Sequence, residues 1–596
     1  MSLSNAAAKM ADDLLGKRPV AQHSTQPDIS GSQIMKAVVW KGPKVVAIED
    51  KPVPRVTHPQ DVVVKVTLAT VCSGSDSHIY SGEIVTTDEG LILGHEACGV
   101  VHQVGPDVTK FKQGDRVVIA FDIACGQCDR CQHHEFTGCD RTNDSRLFEE
   151  MYGGPAAAAI FGYSRLMGNV PGSQAEFVRV PFADVNLYPI PDDVSDEKAL
   201  FVSDVLPTAL HAVEMGCVRP GDSVAIWGLG PIGLFAAKWA KIKGAERVIG
   251  IDMVPERLRL ARDQFGIEVM DRSDLSSTQV LSKLRDLLPQ GGVDVAIDAT
   301  GFRFSQSWTH TIERALGMET DTPDIIVECV SLVRKFGHVS IIADYIGYAN
   351  HFPVGHIMMK HLTVRSGQCP VQKYFKYVMD HVQSGEVDPL VMVTHRLPLE
   401  KVPSAYDQLF YKKEGCIKVV IDVADRQVPI EDRGIGERVG ESVHRMGQQT
   451  QAYGQQQQVQ GRERAYDQAF AQQVVHEHPR QQEEPERSRG TASGRHGDEM
   501  PRPATGREEP QHEQSKEEKP SMLTRAMQAM KLTGSGGSSQ DQPTSQQEKD
   551  REGRGQSQSQ STSQPSYVEE PPYEQYQQKP SAVGDRSGPS HHVDAP

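Results

Sequence analysis

Between residues 35 and 190, apolar and polar positions alternate with a two-residue period in several short stretches. Met35-Lys-Ala-Val-Val-Trp40, Asp61-Val-Val-Val-Lys-Val-Thr67, Gly114-Asp-Arg-Val-Val-Ile119 and Ala175-Glu-Phe-Val-Arg-Val-Pro181 are the clearest. This alternation places every second side chain on one face of a strand, so it predicts a β-rich domain with one face buried. After about residue 195 the pattern changes. Ser223-Val-Ala-Ile-Trp-Gly228 is a continuous apolar run that ends in a glycine turn. A helical stretch follows from Pro231 to Lys243, then a second strand, Arg247-Val-Ile-Gly-Ile-Asp252. Val293–Asp298 and His338–Ala343 read as further strands. Strand, helix and strand at this spacing predict a parallel sheet with helices on both faces.

Composition then divides the chain. All 10 cysteines and all 4 tryptophans of the 596 residues precede residue 425. Beyond it come glutamine runs such as 455–458, with 21 basic and 26 acidic residues over 426–596. Such a segment cannot bury enough apolar surface to offset its ordering entropy, so 426–596 is expected to be a disordered Gln-rich tail. Within it, Met522–Leu532 has the pattern of a short amphipathic helix. Residues 1–34 are weakly patterned and are expected to be disordered too. The formal charge of −16 opposes a nucleic-acid or anionic-membrane partner, which requires a basic footprint. No run of about 20 apolar residues is present, so no spanning helix is expected. The N-terminus lacks a signal-peptide apolar core, and Asp12 and Asp13 do not suit a transit peptide. With four cysteines between 125 and 139, the pattern points to metal binding in a reducing, cytoplasmic setting.

Three constellations carry chemistry. Gly228-Leu-Gly230-Pro231-Ile232-Gly233 follows a strand and opens a helix, and the acidic Asp252 lies about 20 positions on. Gly228 permits the turn, Gly230 lets the backbone approach a pyrophosphate, and Gly233 allows close helix–strand packing. The helix N-terminus offers N–H groups to phosphates. Asp252 would accept hydrogen bonds from an adenosine ribose and repel a 2′-phosphate, which favours NAD; Arg257 would lie over the adenine. The second set is Cys125, Cys128, Cys131 and Cys139, four thiolates that can close a tetrahedral, structural zinc site. The third is dispersed: Cys72, His95 with Glu96, and Asp204. These residue types suit a catalytic zinc with one open position, with Glu96 either behind the ligands or binding the metal when substrate is absent. Taken singly, Cys72 also reads as core packing and Asp204 as a helix N-cap.

Together the three sets resemble the zinc-dependent medium-chain alcohol dehydrogenases over about 35–425. Gln174–Asp184, Ser203-Asp-Val-Leu-Pro-Thr208 and Gly367-Gln-Cys-Pro-Val-Gln-Lys-Tyr374 are most similar to the glutathione-independent formaldehyde dehydrogenases. The resemblance implies Cys72, His95 and Asp204 as catalytic zinc ligands and the four clustered cysteines as structural ones, two Zn²⁺ per chain. It places Gly367 and Gln368 at the nicotinamide half of NAD. The family usually reads Cys-Gly-Ser-Asp-x-His; here Ser73 is inserted, so Ser75 with His78 is the expected proton path and Ser73 its alternative. The implied architecture is a GroES-like catalytic domain, 35–190 completed by 364–425, around a doubly wound Rossmann domain, 191–363. The implied activity is hydride transfer between a small alcohol or aldehyde hydrate and NAD in a homo-oligomer, a dimer or tetramer. Rival readings are a zinc-free quinone or enoyl reductase of the same fold, and an idle scaffold acting through its tail.

Overall fold

The computed structural model describes residues 3–20, 33–288, 291–300, 321–347 and 349–424. The expected tail and its Met522–Leu532 helix lie outside these residues.

The first of two large sheets has seven strands. Six follow the order Val393–Pro398, Lys418–Asp422, Val62–Val71, Ala97–Val104, Arg116–Ile119 and Leu187–Pro189, and Phe177–Val180 pairs with the start of Val62–Val71. Strands from the two ends of the described chain therefore share one sheet: Lys418–Asp422 runs antiparallel to Val62–Val71. The central strand is buried on both faces apart from Lys65 and the half-buried Leu68, which accounts for its near-continuous apolar sequence.

The second sheet has six parallel strands in the order Glu268–Asp271, Arg247–Asp252, Ser223–Trp227, Val293–Asp298, Val333–Ile341 and Thr363–Ser366. The helix Pro231–Ile242 joins the strands Ser223–Trp227 and Arg247–Asp252, with Pro231 in its first turn and Trp239 fully buried. This is the doubly wound α/β domain that the periodicity predicts. Thr363–Ser366 belongs to this sheet, so the crossing back to the catalytic domain comes after 366 instead of at 364.

One expectation is corrected. The segment 1–34 is not wholly without order: Leu3–Leu15 is a helix. Its anchoring is polar, and an apolar-pattern reading misses it. The Thr86 N–H donates to buried Asn5 Oδ1 at 2.7 Å. Lys9 pairs with Asp88 at 2.9 Å, and Arg165 bridges Asp13 and Asp88. Arg18 donates to the carbonyls of Asn143 and Asp140. Removing the Asn5 acceptor strands a buried N–H. Asn5→Ala is therefore expected to lower unfolding free energy by about 1–3 kcal/mol in chemical denaturation.

Candidate active site and metal centres

The loop Ala124–Cys139 draws four sulfurs together. Cys128 Sγ lies 3.5 Å from Cys131 Sγ and 3.9 Å from Cys139 Sγ, and Cys125 Sγ lies 3.9 Å from Cys131 Sγ. A tetrahedron with metal–sulfur bonds of about 2.3 Å has edges of about 3.8 Å, so the spacing fits Zn²⁺. These distances are far too long for a disulfide, and all ten cysteines are free. Hydrogen bonds with the Cys131 and Cys139 thiols lower the pKa of the Cys125 thiol most, and the N–H groups of Gln127 and Cys128, which donate to Cys125 Sγ, add to that lowering.

A second cluster forms where three distant segments meet. One ligand atom from each of Cys72, His95, Glu96 and Asp204 lies within 4.8 Å of every other. Cys72 directly follows the strand Val62–Val71, and Asp204 precedes the helix Val205–Met215. Asp204 makes no side-chain cap to that helix. Instead it accepts from Thr208 Oγ1, and its Oδ2 stands 3.5 Å from His95 Nε2. The other imidazole nitrogen, Nδ1, stands 3.2 Å from Asp76 Oδ1. Asp76 is fixed by the Cys72 N–H and by Gln174 Nε2, and Gln174 Oε1 accepts from Tyr406. A carboxylate on Nδ1 leaves Nε2 as the nitrogen for a metal. Gly94, at φ +94°, makes room for this chain, since a Cβ there would lie 2.4 Å from Gln174 Cγ.

The electrostatics of this cluster call for a cation. Asp76, His95, Glu96 and Asp204 are all buried. Glu96 Oε1 pairs with the buried Lys418 Nζ at 2.7 Å, while Oε2 has no hydrogen-bond partner. Burial opposes charge on His95, yet Asp76, Asp204 and Cys72 outweigh it and lift its pKa well above the usual range. Burial raises the Cys72 thiol, and His95 and Lys418 act against it. Two fixed carboxylates and a thiol thus surround one imidazole with a single buried lysine nearby. A divalent ion at that point meets the charge imbalance and the donor types.

Both halves of the chain line a cleft of about 400 Å³ above this cluster. Cys72, His95 and Asp204 form one end, and Gly228, Gly230, Pro231, Ile232, Asp252 and Arg257 line the other. Gly228 has φ +86°, and a Cβ there would press within 2.7 Å of the Ala299 carbonyl. A Cβ on Gly230 would meet only Arg257 within 4 Å, so the glycine keeps an open cradle. Gly233 packs inward, where a Cβ would collide with the Gly228 carbonyl. Asp252 Oδ1 accepts from the N–H of Met253 and Val254, and Oδ2 accepts from Leu229 and faces Arg257 at 3.8 Å. These features fit a dinucleotide.

Ser75 and His78 line the cleft, as does Ser73. Ser75 Oγ donates to Asp344 Oδ2 at 3.0 Å, and His78 Nδ1 lies 3.0 Å from Glu83 Oε2. Gln368 lines the cleft, whereas neighbouring Gly367, at φ +151°, is not among its lining residues. The sequence reading missed Asp76, Asp344, Lys418 and a buried pair beneath the nucleotide end. There Arg272 forms a bidentate pair with Glu328, and Trp227 Nε1 donates to the same carboxylate. Of these, only Asp76 carried a local signal, its place in the segment after Cys72.

Against known families, residues 58–192 match the alcohol dehydrogenase GroES-like domain and residues 231–384 match zinc-binding dehydrogenase. The chain is 55% identical over 425 residues to a zinc-type alcohol dehydrogenase-like protein of Schizosaccharomyces pombe, covering 71% of this chain and 99% of that one. It is 32% identical over 403 residues to glutathione-independent formaldehyde dehydrogenase of Pseudomonas aeruginosa, covering 63% of this chain and 94% of that one. Among solved structures, alcohol dehydrogenase TADH from Thermus sp. ATN1 superposes with a TM-score of 0.55 at 33% identity, covering 65% of this chain and all of that one. Fold, cleft and relatives define a zinc-binding, nicotinamide-linked oxidoreductase. The chain belongs to the zinc-dependent medium-chain alcohol dehydrogenase family.

The Arg272–Glu328 pair supports the strand ends that carry Trp227 and Asp252. Removing Glu328 leaves a buried guanidinium without its carboxylate. Glu328→Ala is expected to cost about 3–5 kcal/mol of stability, read as a lowered midpoint in denaturant unfolding.

Proposed function

We propose that the chain oxidises a small alcohol or aldehyde hydrate with NAD, in the manner of a formaldehyde dehydrogenase, with Cys72, His95 and Asp204 as the catalytic zinc ligands. The observation that carries this reading is the convergence of a sulfur, an imidazole and a carboxylate at one end of the cleft whose other end is lined by Gly230 and Asp252. Cys125, Cys128, Cys131 and Cys139 hold the structural zinc in this reading. Bound in these places, zinc supplies a Lewis acid for the substrate oxygen, and NAD supplies the hydride acceptor.

The chain's own side chains do the rest. Asp76 orients His95 through Nδ1. Glu96, held by Lys418 through one oxygen, keeps a second acceptor beside the cluster. Ser75 receives the proton leaving the substrate and passes on its own, and Asp344 is the acceptor that its hydroxyl already faces. His78, paired with the more exposed Glu83, continues the path towards water. Asp252 would hold the ribose, Arg257 would cover the adenine and Gln368 would meet the nicotinamide half; all three line the cleft. Phe121 and Ile160 supply apolar wall to the cleft and keep water out.

A homo-oligomer suits the outer surface of the parallel sheet. Phe336, Val354, Met358 and Met359 are exposed near the edge strand Thr363–Ser366. Free cysteines throughout suit a cytoplasmic enzyme.

Two substitutions test the assignment. Asp204→Ala is expected to lower kcat by about a thousandfold or more, with metal analysis falling from two zincs per chain to one and NADH binding retained. Wild-type turnover in that variant removes Asp204 from the site. Asp252→Gly is expected to move the NAD-to-NADP ratio of kcat/KM by about tenfold or more towards NADP. An unchanged ratio contradicts the role given to Asp252.

A further inference from the structure

The cleft has a charged wall on the side facing the cluster of Cys72, His95 and Asp204. Asp344 follows the strand Val333–Ile341 and lines the cleft together with Ser75 and Tyr163. Its Oδ2 accepts the Ser75 hydroxyl at 3.0 Å. A Cβ built on Gly74 would lie 3.8 Å from Cys72 Sγ and 4.0 Å from Asp344 Oδ2, with nothing else within 4 Å. One carbon-sized position therefore touches both the sulfur and the carboxylate. Burial raises the Tyr163 phenol far above its usual range, and Asp344 is the charge that adds most to that shift. Carboxylate, hydroxyl and phenol thus line the same cleft as Cys72, His95 and Asp204, and Phe121 and Ile160 give that cleft apolar lining.

An acidic side chain here disfavours a purely hydrocarbon substrate. Filling the cleft with methyl or methylene groups would strip water from the carboxylate and return no hydrogen bond. A substrate hydroxyl replaces that water with a donor, and a hydrogen bond to a charged acceptor is stronger than a neutral one. Ser75 donates to Oδ2 of Asp344; among the described residues no group donates to Oδ1, and Asp344 lines the cleft that a ligand would fill.

We propose that Asp344 is a specificity-determining residue that accepts a second hydroxyl of the substrate. The preferred substrates are then compounds with two hydroxyls at or next to the reacting carbon. This rests on the dehydrogenase reading above and narrows its substrate class. Such a pair of hydroxyls has two sources: a vicinal diol, or the hydrate of an aldehyde such as formaldehyde.

The test uses the zinc-loaded full chain as wild type, Asp344→Leu and Asp344→Asn. Steady-state kcat/KM is measured for 1,2-propanediol relative to 1-propanol, and for formaldehyde relative to methanol. Each ratio cancels any loss common to both substrates, including one passed through Ser75. In wild type at least one ratio favours the dihydroxy compound; Asp344→Leu lowers that ratio tenfold or more, and Asp344→Asn lowers it less. Loss in the propanediol arm identifies vicinal diols, and loss in the formaldehyde arm identifies the hydrate. Ratios unchanged within twofold in both arms overturn the proposal. Saturation-transfer NMR without NAD gives a readout independent of turnover. There the wild type is expected to contact 1,2-propanediol or methanediol more strongly than the matched monoalcohol, and Asp344→Leu to lose that difference. Absence of turnover on all four compounds, with NADH binding intact, overturns the dehydrogenase reading, while the NMR arm still decides the role of Asp344.

Discussion

Everything in the cleft depends on an uncompensated charge at its floor. Asp76, Glu96 and Asp204 are buried around His95, and Cys72 closes the group. Lys418 neutralises one carboxylate through a 2.7 Å contact, and no second lysine or arginine pairs with Asp76 or Asp204 among the described residues. Buried carboxylates that no fixed positive charge balances cost several kcal/mol each, so the arrangement is stable only if protons or a metal ion supply that charge. The donor set of sulfur, imidazole and carboxylate selects a metal of zinc's type over calcium or magnesium, which take oxygen alone.

The fold exists to bring these groups to one point. Cys72 and Lys418 lie at facing ends of paired antiparallel strands, although almost the whole described chain separates them. His95 and Glu96 directly precede the next strand of the same sheet. Asp204 arrives from the start of the other domain, on the residue before a helix. The sheet of the catalytic domain is therefore completed only when the last strand returns, and the parallel-sheet domain lies between its strands in the chain, with Asp204 just before the helix Val205–Met215. The same return segment brings Gln368 to the cleft.

Local features were legible in the sequence and long-range ones were not. The four clustered cysteines and the Gly228–Gly233 turn depend on spacing within one loop, so the residue pattern carries them whole. The parallel strands announce themselves as apolar runs ending in glycine or aspartate. Cys72, His95 and Asp204 were legible as residue types suited to zinc, but spacing left Cys72 as packing and Asp204 as a cap until their family resemblance tied them together. Lys418 sits in Lys-Val-Val-Ile-Asp422, where a lysine at a strand start looks solvated; only pairing with Val62–Val71 buries it against Glu96. Arg272 and Glu328 gain meaning the same way, as does Asp344, whose partner Ser75 lies in the other domain. Leu3–Leu15 escaped notice because its anchors are an asparagine, a lysine and acidic residues, which hydrophobic periodicity does not weigh.

The central claim concerns where metal sits, and anomalous diffraction at the zinc edge from crystals of the full chain tests it most directly. The account predicts two peaks per chain: one inside the four-cysteine loop and one in contact with Cys72, His95 and Asp204, facing the cleft. A single peak in the cysteine loop, with the Cys72 and Asp204 side chains turned away from His95, would contradict it.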